Sequence, residues 1–249
     1  MLTAVQGALA FLTRLPVGGD EAAWDAFRTT PVAFVVAGYV VGGLAAVPLA
    51  VPVPLPTAVA GYLVTLYLVT GVTHVDGLAD LGDAAAVHGT AADRRSVLKD
   101  SQTGVGGALA VGLALVTLAL GGLGVAGAGP RVAVRLVLAA EVSAKVGMAA
   151  LVTLGSPGHE GLGSAVVDEA GGASLLPVVV AAVPAALFAP PGSTSALVAT
   201  LAAGPAVALL VGRWATTRLG GVTGDALGAA NELARVAALH AGVIAWTLW

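Results

Sequence analysis

The most informative pattern in this chain is the alternation of long apolar segments with short polar ones. No Asp, Glu, Lys or Arg occurs in stretches that run from Thr29 to Val75, from Ser101 to Pro130 and from Ala170 to Gly212. Each stretch has room for a helix of about 20 residues, the length that crosses a hydrocarbon core of about 30 Å. The pattern therefore predicts a helical membrane protein.

The predicted fold class is all-α: a polytopic transmembrane helical bundle of about seven membrane-embedded helices with cytoplasmic polar loops. We expect a single domain over residues 1–249, because no linker divides the chain. The predicted spans cover 31–50, 57–75, 105–128, 132–153, 174–189, 195–212 and the apolar C-terminus. A short interfacial helix precedes them, because Pro16 ends any helix near Leu15.

Composition supports this class and excludes others. Hydrophobic residues make up 57% of the chain and charged residues 10%, with a mean hydropathy of +0.95, which is too few charges to cover a soluble domain. The absence of cysteine excludes disulfides and thiolate chemistry, and no basic tract indicates a nucleic acid partner. We interpret the N-terminal segment as retained, because no basic region precedes its apolar part.

The distribution of basic residues predicts the orientation. If the N-terminus is cytoplasmic, the polar segments 73–104, 155–172 and 213–226 share its side, and together with the N-terminal segment they carry seven of the eleven Lys and Arg residues. We therefore expect a multi-pass protein of the cell membrane with a cytoplasmic active site. No internal repeat favours an inverted-repeat transporter.

The segment THVDGLADLGDA at 73–84 carries the main candidate chemistry. Asp76, Asp80 and Asp83 are spaced so that one helix presents all three within an arc of roughly 60°. Like charges on one face repel each other, so this face is interpreted as a site for Mg²⁺ or Mn²⁺. The alternative is a solvated surface helix. His74 is either a neighbour of this site or an interfacial residue.

Other polar groups allow both a functional and a structural interpretation. Lys99, Asp100 and Ser101 precede Gly104 at a predicted helix start, where backbone N–H groups favour a phosphate. Gly224 and Asp225 are either a second such site or an N-cap. Arg14 either binds a phosphate or only extends its side chain to the membrane surface. Glu160 lies in a loop that either closes over substrate or is only a turn. Glu141 and Lys145 form either a functional pair or an ion pair between packed helices.

Several motifs together resemble the cobalamin synthase family, the adenosylcobinamide-GDP ribazoletransferases. The resemblance rests on FLTRLPV (11–17), THVDGLADLGDA (73–84), LKDSQTGVGG (98–107), EGLG (160–163) and LGGVTGDALGAANE (219–232). It implies a Mg²⁺-dependent membrane enzyme that joins α-ribazole, or its 5′-phosphate, to adenosylcobinamide-GDP and releases GMP. The expected partners are these small molecules and the lipid bilayer; a homo-oligomer is left open.

The resemblance also suggests roles for residues. Asp76, Asp80 and Asp83 are expected to bind metal, and the expected catalytic residues are Asp83, Lys99 and Asp100. The expected substrate-binding residues are Arg14, His74, Ser101, Gly104, Glu160, Gly224 and Asp225. Two features depart from the family pattern. Gln102 replaces a commonly basic residue, so one phosphate contact is either missing or supplied by Arg94 or Arg95, and AAAV follows Asp83.

Two rival functions are weighed against this one. A CDP-alcohol phosphotransferase also holds Mg²⁺ on spaced aspartates, but its pattern needs Ala-Arg where this chain has Ala79-Asp80, and it needs a later Asp pair. A metal transporter would use the acidic face as an entry site, yet the predicted midplane offers only Glu141 and Lys145.

Overall fold

The computed structural model describes residues 1–158, 162–167, 175–187 and 192–248. Within these ranges the ordered elements are helices, and one isolated bridge joins Pro157 to Val222. The helices are α1 (Leu2–Leu12), α2 (Glu21–Arg28), α3 (Val32–Ala45), α4 (Leu55–Thr70), α5 (Thr73–Ala86), α6 (Ala91–Val97), α7 (Val105–Gly127), α8 (Pro130–Leu154), α9 (Leu162–Val167), α10 (Leu175–Ala182), α11 (Pro184–Leu187), α12 (Thr194–Leu219) and α13 (Gly224–Leu248). The predicted all-α class is confirmed.

Helix α8 forms the centre of the bundle. Of its most apolar 18-residue window, 94% is buried inside the protein, against 22% for α7, which leaves most of α7 for contact with lipid. α8 packs against α3, α12 and α13. Glycines allow the close approach: a Cβ on Gly42 of α3 would lie 2.9 Å from the Cα of Leu138 in α8.

The number of spans differs from the sequence prediction. In the described residues, α7, α8 and α12 are long and apolar enough to cross a membrane, and the count reaches five if each of two bent pairs forms one span. The bent pairs are α2 with α3, at 107°, and α4 with α5, at 94°. The membrane class is thus supported, while the predicted number of about seven is not confirmed.

The polar segment predicted at 213–226 is mostly helical in the structure. α12 extends to Leu219 and α13 begins at Gly224, so only a short turn separates them. Gly220 adopts φ 90°, which ends α12 in a left-handed conformation that suits glycine. Several charged residues of this segment therefore lie on long helices.

The segments that the sequence places on one side of the membrane meet at one end of the bundle. Val222 N donates a hydrogen bond to Ser156 O (2.8 Å), Gly163 lies against Gly224, and α5 packs against both α7 and α13. The structure thus brings the 73–107, 155–167 and 220–225 regions together, as a shared site requires.

Candidate active site

The acidic helix α5 begins at a sharp break in the chain. Gly71 has φ 69° and ψ −159°, a conformation that side chains with a Cβ rarely adopt, and it turns α5 by 94° from α4. Asp76, Asp80 and Asp83 all lie within Thr73–Ala86. The prediction that one helix carries the three carboxylates is confirmed.

A fourth carboxylate joins them from α13. Thr223 begins that helix, because its Oγ1 accepts a hydrogen bond from Ala226 N (3.1 Å), so the alternative that Asp225 is itself the cap does not hold. Asp225 follows in the first turn. Gly77 allows the approach, since a Cβ there would lie 2.9 Å from the Asp225 Cα. We call Asp76, Asp80, Asp83 and Asp225 the acidic face.

The electrostatics of Asp80 show how closely these groups are gathered. Burial is the main cause that raises the pKa of Asp80, to about 6. The negative charges of three neighbouring carboxylates raise this pKa further: Asp225, Asp76 and Asp83. The acidic face therefore concentrates negative charge around a half-buried carboxyl group.

Asp83 binds the start of α7. Its Oδ2 accepts a hydrogen bond from Gly104 N (2.7 Å), and its Oδ1 accepts one from Gly107 N (2.8 Å). These are two of the free N–H groups at which the sequence suggested a phosphate site. A phosphate there would compete with the Asp83 carboxylate. The suggested roles of Asp83 in metal binding and catalysis stay predictions, and each of its oxygens keeps a second lone pair for them.

The other predicted site residues are less closely joined to the acidic face. Lys99, Asp100 and Ser101 are exposed after the end of α6, and the Asp100 carboxylate accepts a hydrogen bond from Gln102 N (3.1 Å). The exposed Arg14 packs its side chain over Gly71, at the break before α5. Glu160 lies outside the described residues.

Arg94 and Arg95 stabilise helix ends. Arg94 is buried and donates to Ala84 O (2.7 Å) near the end of α5, while Arg95 donates to Leu219 O (2.8 Å) at the end of α12. Positive groups at these ends complement the helix dipoles. The sequence suggested that these arginines replace the phosphate contact missing at Gln102, whereas the structure gives both of them carbonyl partners.

A cavity of about 300 Å³ opens beside the acidic face. Asp76, His74 and Asp225 line one side of it. The apolar part of its wall is formed by Phe11, Phe34, Met148, Val166 and Leu227. An apolar cavity with a few converging polar groups is the usual form of a small-molecule site.

A buried ion network, which we define as Glu141, Lys145, Asn231, Glu232 and Arg235, lies behind this cavity. Arg235 donates to both oxygens of Glu141 and to Glu232 Oε2, and Tyr67 Oη donates to the same Glu232 oxygen (3.2 Å). Lys145 Nζ donates to Asn231 Oδ1. The negative charges of two carboxylates are therefore balanced by the positive charges of one lysine and one arginine within the bundle.

The sequence predicted part of this network and missed the rest. It proposed that Glu141 pairs with Lys145, but in the structure Glu141 binds Arg235 and Lys145 binds Asn231. Asn231, Glu232 and Arg235 are not among the site residues predicted from the sequence, although the motif LGGVTGDALGAANE (219–232) contains the first two. Their spacing within a C-terminal helix that also carries long apolar stretches was the signal available.

The acidic face fits a divalent cation in chemistry but does not form a complete ligand set. Across the described ranges, no three His, Asp or Glu side chains are arranged to hold one metal ion. Mg²⁺ usually binds through one or two carboxylates and completes its shell with water and substrate phosphate oxygens. The residues present therefore fit Mg²⁺ if a phosphate-containing substrate supplies further ligands.

Comparison with known proteins identifies the family. Residues 4–243 match the family described as Cobalamin-5-phosphate synthase. The chain belongs to this family. It is 51% identical to an adenosylcobinamide-GDP ribazoletransferase of Haloquadratum walsbyi, with all of both chains covered. It is 54% identical to the protein of that name in Halorubrum lacusprofundi, with 99% of each chain covered. No solved structure matches the chain.

Proposed function

We propose that this protein is an adenosylcobinamide-GDP ribazoletransferase, which joins adenosylcobinamide-GDP to α-ribazole or its 5′-phosphate and releases GMP. The observation that carries the proposal is family membership over residues 4–243, with relatives of that name matched along their whole length. The site supports it, because a carboxylate-rich surface next to a small-molecule cavity suits transfer to an alcohol from a diphosphate.

The identity of the products fixes which bonds change. GMP keeps the phosphate bound to guanosine, so the ribazole hydroxyl attacks the other phosphorus, the one bound to cobinamide. A new P–O bond forms there, and the bond from this phosphorus to the bridging oxygen breaks. The hydroxyl proton leaves to a base, and GMP departs with the bridging oxygen. The reaction is a phosphoryl-type transfer with no net redox change.

The chain supplies binding and orientation for this step. Asp76 and Asp80 are the proposed Mg²⁺ ligands, and Asp225, which lines the cavity, is the proposed acceptor of a hydrogen bond from the attacking hydroxyl. A bound Mg²⁺ would neutralise negative charge on the diphosphate oxygens. Lys99 and Arg14 are the proposed phosphate contacts, and Asp100 is a candidate for a substrate hydroxyl or a second metal ion. The Mg²⁺ dependence and a cytoplasmic location of this site belong to the proposal.

The experiment uses purified protein in lipid vesicles with adenosylcobinamide-GDP and either ribazole form. We expect GMP release that needs both substrates, stops on addition of EDTA and returns with Mg²⁺. Vesicles that release no GMP under any of these conditions would contradict the proposed reaction. Release unaffected by EDTA would remove the metal from it.

The two rival functions give different results in the same vesicles. A CDP-alcohol phosphotransferase would release CMP from a CDP-alcohol, and a metal transporter would move a divalent cation across the vesicle membrane. We expect neither activity.

A further inference from the structure

The buried ion network reaches the cavity through one histidine. His74 lies on α5, is 8% exposed and lines the cavity two residues before Asp76. Its Nδ1 lies 3.2 Å from Asn231 Nδ2. Its other ring nitrogen, Nε2, has no hydrogen-bond partner among the described residues. Which ring nitrogen of His74 carries the proton therefore depends on whether the Asn231 amide presents its nitrogen or its oxygen to Nδ1.

The orientation of the Asn231 amide is fixed by two neighbours. Lys145 donates through Nζ, and an ammonium group has only donors, so the amide oxygen must face it. On the other side, Asn231 Nδ2 lies 3.0 Å from Glu232 Oε1, and a carboxylate only accepts. Both neighbours require the same orientation, with the amide nitrogen towards Glu232 and His74.

The Glu232 carboxylate, which helps to orient the Asn231 amide, is itself held in place by hydrogen bonds. Glu232 Oε2 accepts hydrogen bonds from Arg235 Nη1 and from Tyr67 Oη, which leaves Oε1 for Asn231. The amide nitrogen of Asn231 carries two protons, so one goes to Glu232 and one to His74. His74 Nδ1 must then accept, and the imidazole proton must lie on Nε2.

The Nε2–H group is open to a ligand. In the described part of the chain, the Tyr62 hydroxyl is the one fully buried side-chain polar atom that has no hydrogen-bond partner. Nε2 of His74 also has no partner in that part of the chain, so it must retain some accessible surface. The cavity it borders has no Lys or Arg among its described lining residues, and Asp76 and Asp225 lie at its polar side. These carboxylates repel a bare diphosphate, whereas a nucleoside with an aromatic base matches the apolar wall and its two phenylalanines.

We propose that Lys145 and Asn231 are positioning residues that hold the His74 proton on Nε2, so that His74 donates a hydrogen bond to an acceptor atom of the nucleoside substrate in this cavity. This inference rests on the proposed function for the identity of the nucleoside, α-ribazole. The hydrogen-bond chain that sets the proton does not depend on it.

The first test determines directly which ring nitrogen of His74 carries the proton in the wild-type protein. Nitrogen NMR of protein labelled with ¹⁵N-histidine in lipid nanodiscs distinguishes a protonated from an unprotonated ring nitrogen. His74→Gln assigns the His74 signals, and His240→Gln serves as the matched assignment control. We expect a protonated Nε2 and a hydrogen-bonded, unprotonated Nδ1. A protonated Nδ1 overturns the proposal, whatever the enzyme activity.

The second test measures the contact with substrate. His74→Leu removes the donor, whereas His74→Gln places an amide N–H near the Nε2 position. We expect His74→Leu to raise the KM for α-ribazole about tenfold, the loss of roughly one hydrogen bond, with the KM for adenosylcobinamide-GDP unchanged. His74→Gln should restore most of the affinity. A rise confined to the KM for adenosylcobinamide-GDP, or no rise at all, would overturn the assignment of the nucleoside.

The third test addresses the positioning residues. Lys145→Met removes the group that orients the Asn231 amide, so the His74 nitrogen signals should change and the KM for α-ribazole should rise while GMP is still released. The matched control is Ser143→Ala, because Ser143 is also buried on α8 but bonds to Leu201 O and Gly204 N of α12. A Lys145→Met protein with unaltered His74 signals would contradict the positioning role. Failure of the wild type to release GMP would instead contradict the proposed function, while the NMR result stands by itself.

Discussion

The buried ion network pairs opposite charges, whereas the acidic face collects charges of one sign. The network contains Glu141 and Glu232 against Lys145 and Arg235, and each of these groups has a hydrogen-bonded partner inside the bundle. The acidic face instead gathers four carboxylates, and burial with mutual repulsion raises the pKa of Asp80 to about 6. Removing one partner from a balanced group of buried charges is costly, whereas like charges kept side by side are the arrangement for which we propose a cationic ligand.

The strongest test of this contrast is Asp80→Asn. This change removes a proposed metal ligand and relieves repulsion, so we expect GMP release to fall by at least about 100-fold while the protein becomes no less stable. The measurements are GMP release in vesicles and thermal unfolding in detergent. Asp20→Asn is the matched control, because Asn also serves as the cap that Asp20 provides for α2. Full activity of Asp80→Asn would remove Asp80 from the proposed metal site.

Arg235→Met tests the balanced side of the comparison. It leaves Glu141 and Glu232 without their shared cation in a buried place, so we expect the free energy of unfolding to fall by about 3–5 kcal/mol. Denaturation in detergent measures this loss. Adding Glu141→Gln to the same chain removes one of the uncompensated charges and should recover part of it. An Arg235→Met protein as stable as the wild type would show that the network does not hold the bundle.

Gly77→Ala tests the distance between the two helices that form the acidic face. The added Cβ would lie 2.9 Å from the Asp225 Cα, so α13 must move away from α5 at an expected loss of about 1–3 kcal/mol in stability. GMP release should fall with it, because Asp225 is displaced. Gly112→Ala in α7 is the matched control, since a Cβ there meets nothing within 4 Å. Equal activity of the two variants would separate Asp225 from the site.

Asp83→Asn tests whether Asp83, like Asp80, acts in the reaction or mainly holds the start of α7. The amide keeps one acceptor for Gly104 N or Gly107 N and loses the other, so we expect a loss of about 1 kcal/mol in stability. If Asp83 acts mainly by holding α7, activity falls much less than in Asp80→Asn. A loss of activity as large as that of Asp80→Asn would support the sequence-based prediction that Asp83 binds metal or acts as the base.

Much of the candidate site follows from local periodicity. Asp76, Asp80 and Asp83 share one face because helical spacing requires it. Local spacing also misled the prediction for Glu141 and Lys145. Residues four apart on a helix are able to pair, yet the buried Arg235 of α13 offers Glu141 two hydrogen bonds at once. Sequence distance carries no information about such a partner.

The sequence alone determined that this is a helical membrane protein with a row of acids at a helix start, because hydrophobic runs and helical spacing act over a few turns of chain. Only the tertiary structure decided that Asp225 joins that row, that Asp83 binds the start of α7, and that Asn231 stands between Lys145 and His74. These contacts join residues far apart in the chain. They depend on how closely glycine-lined helices pack, which no local pattern specifies.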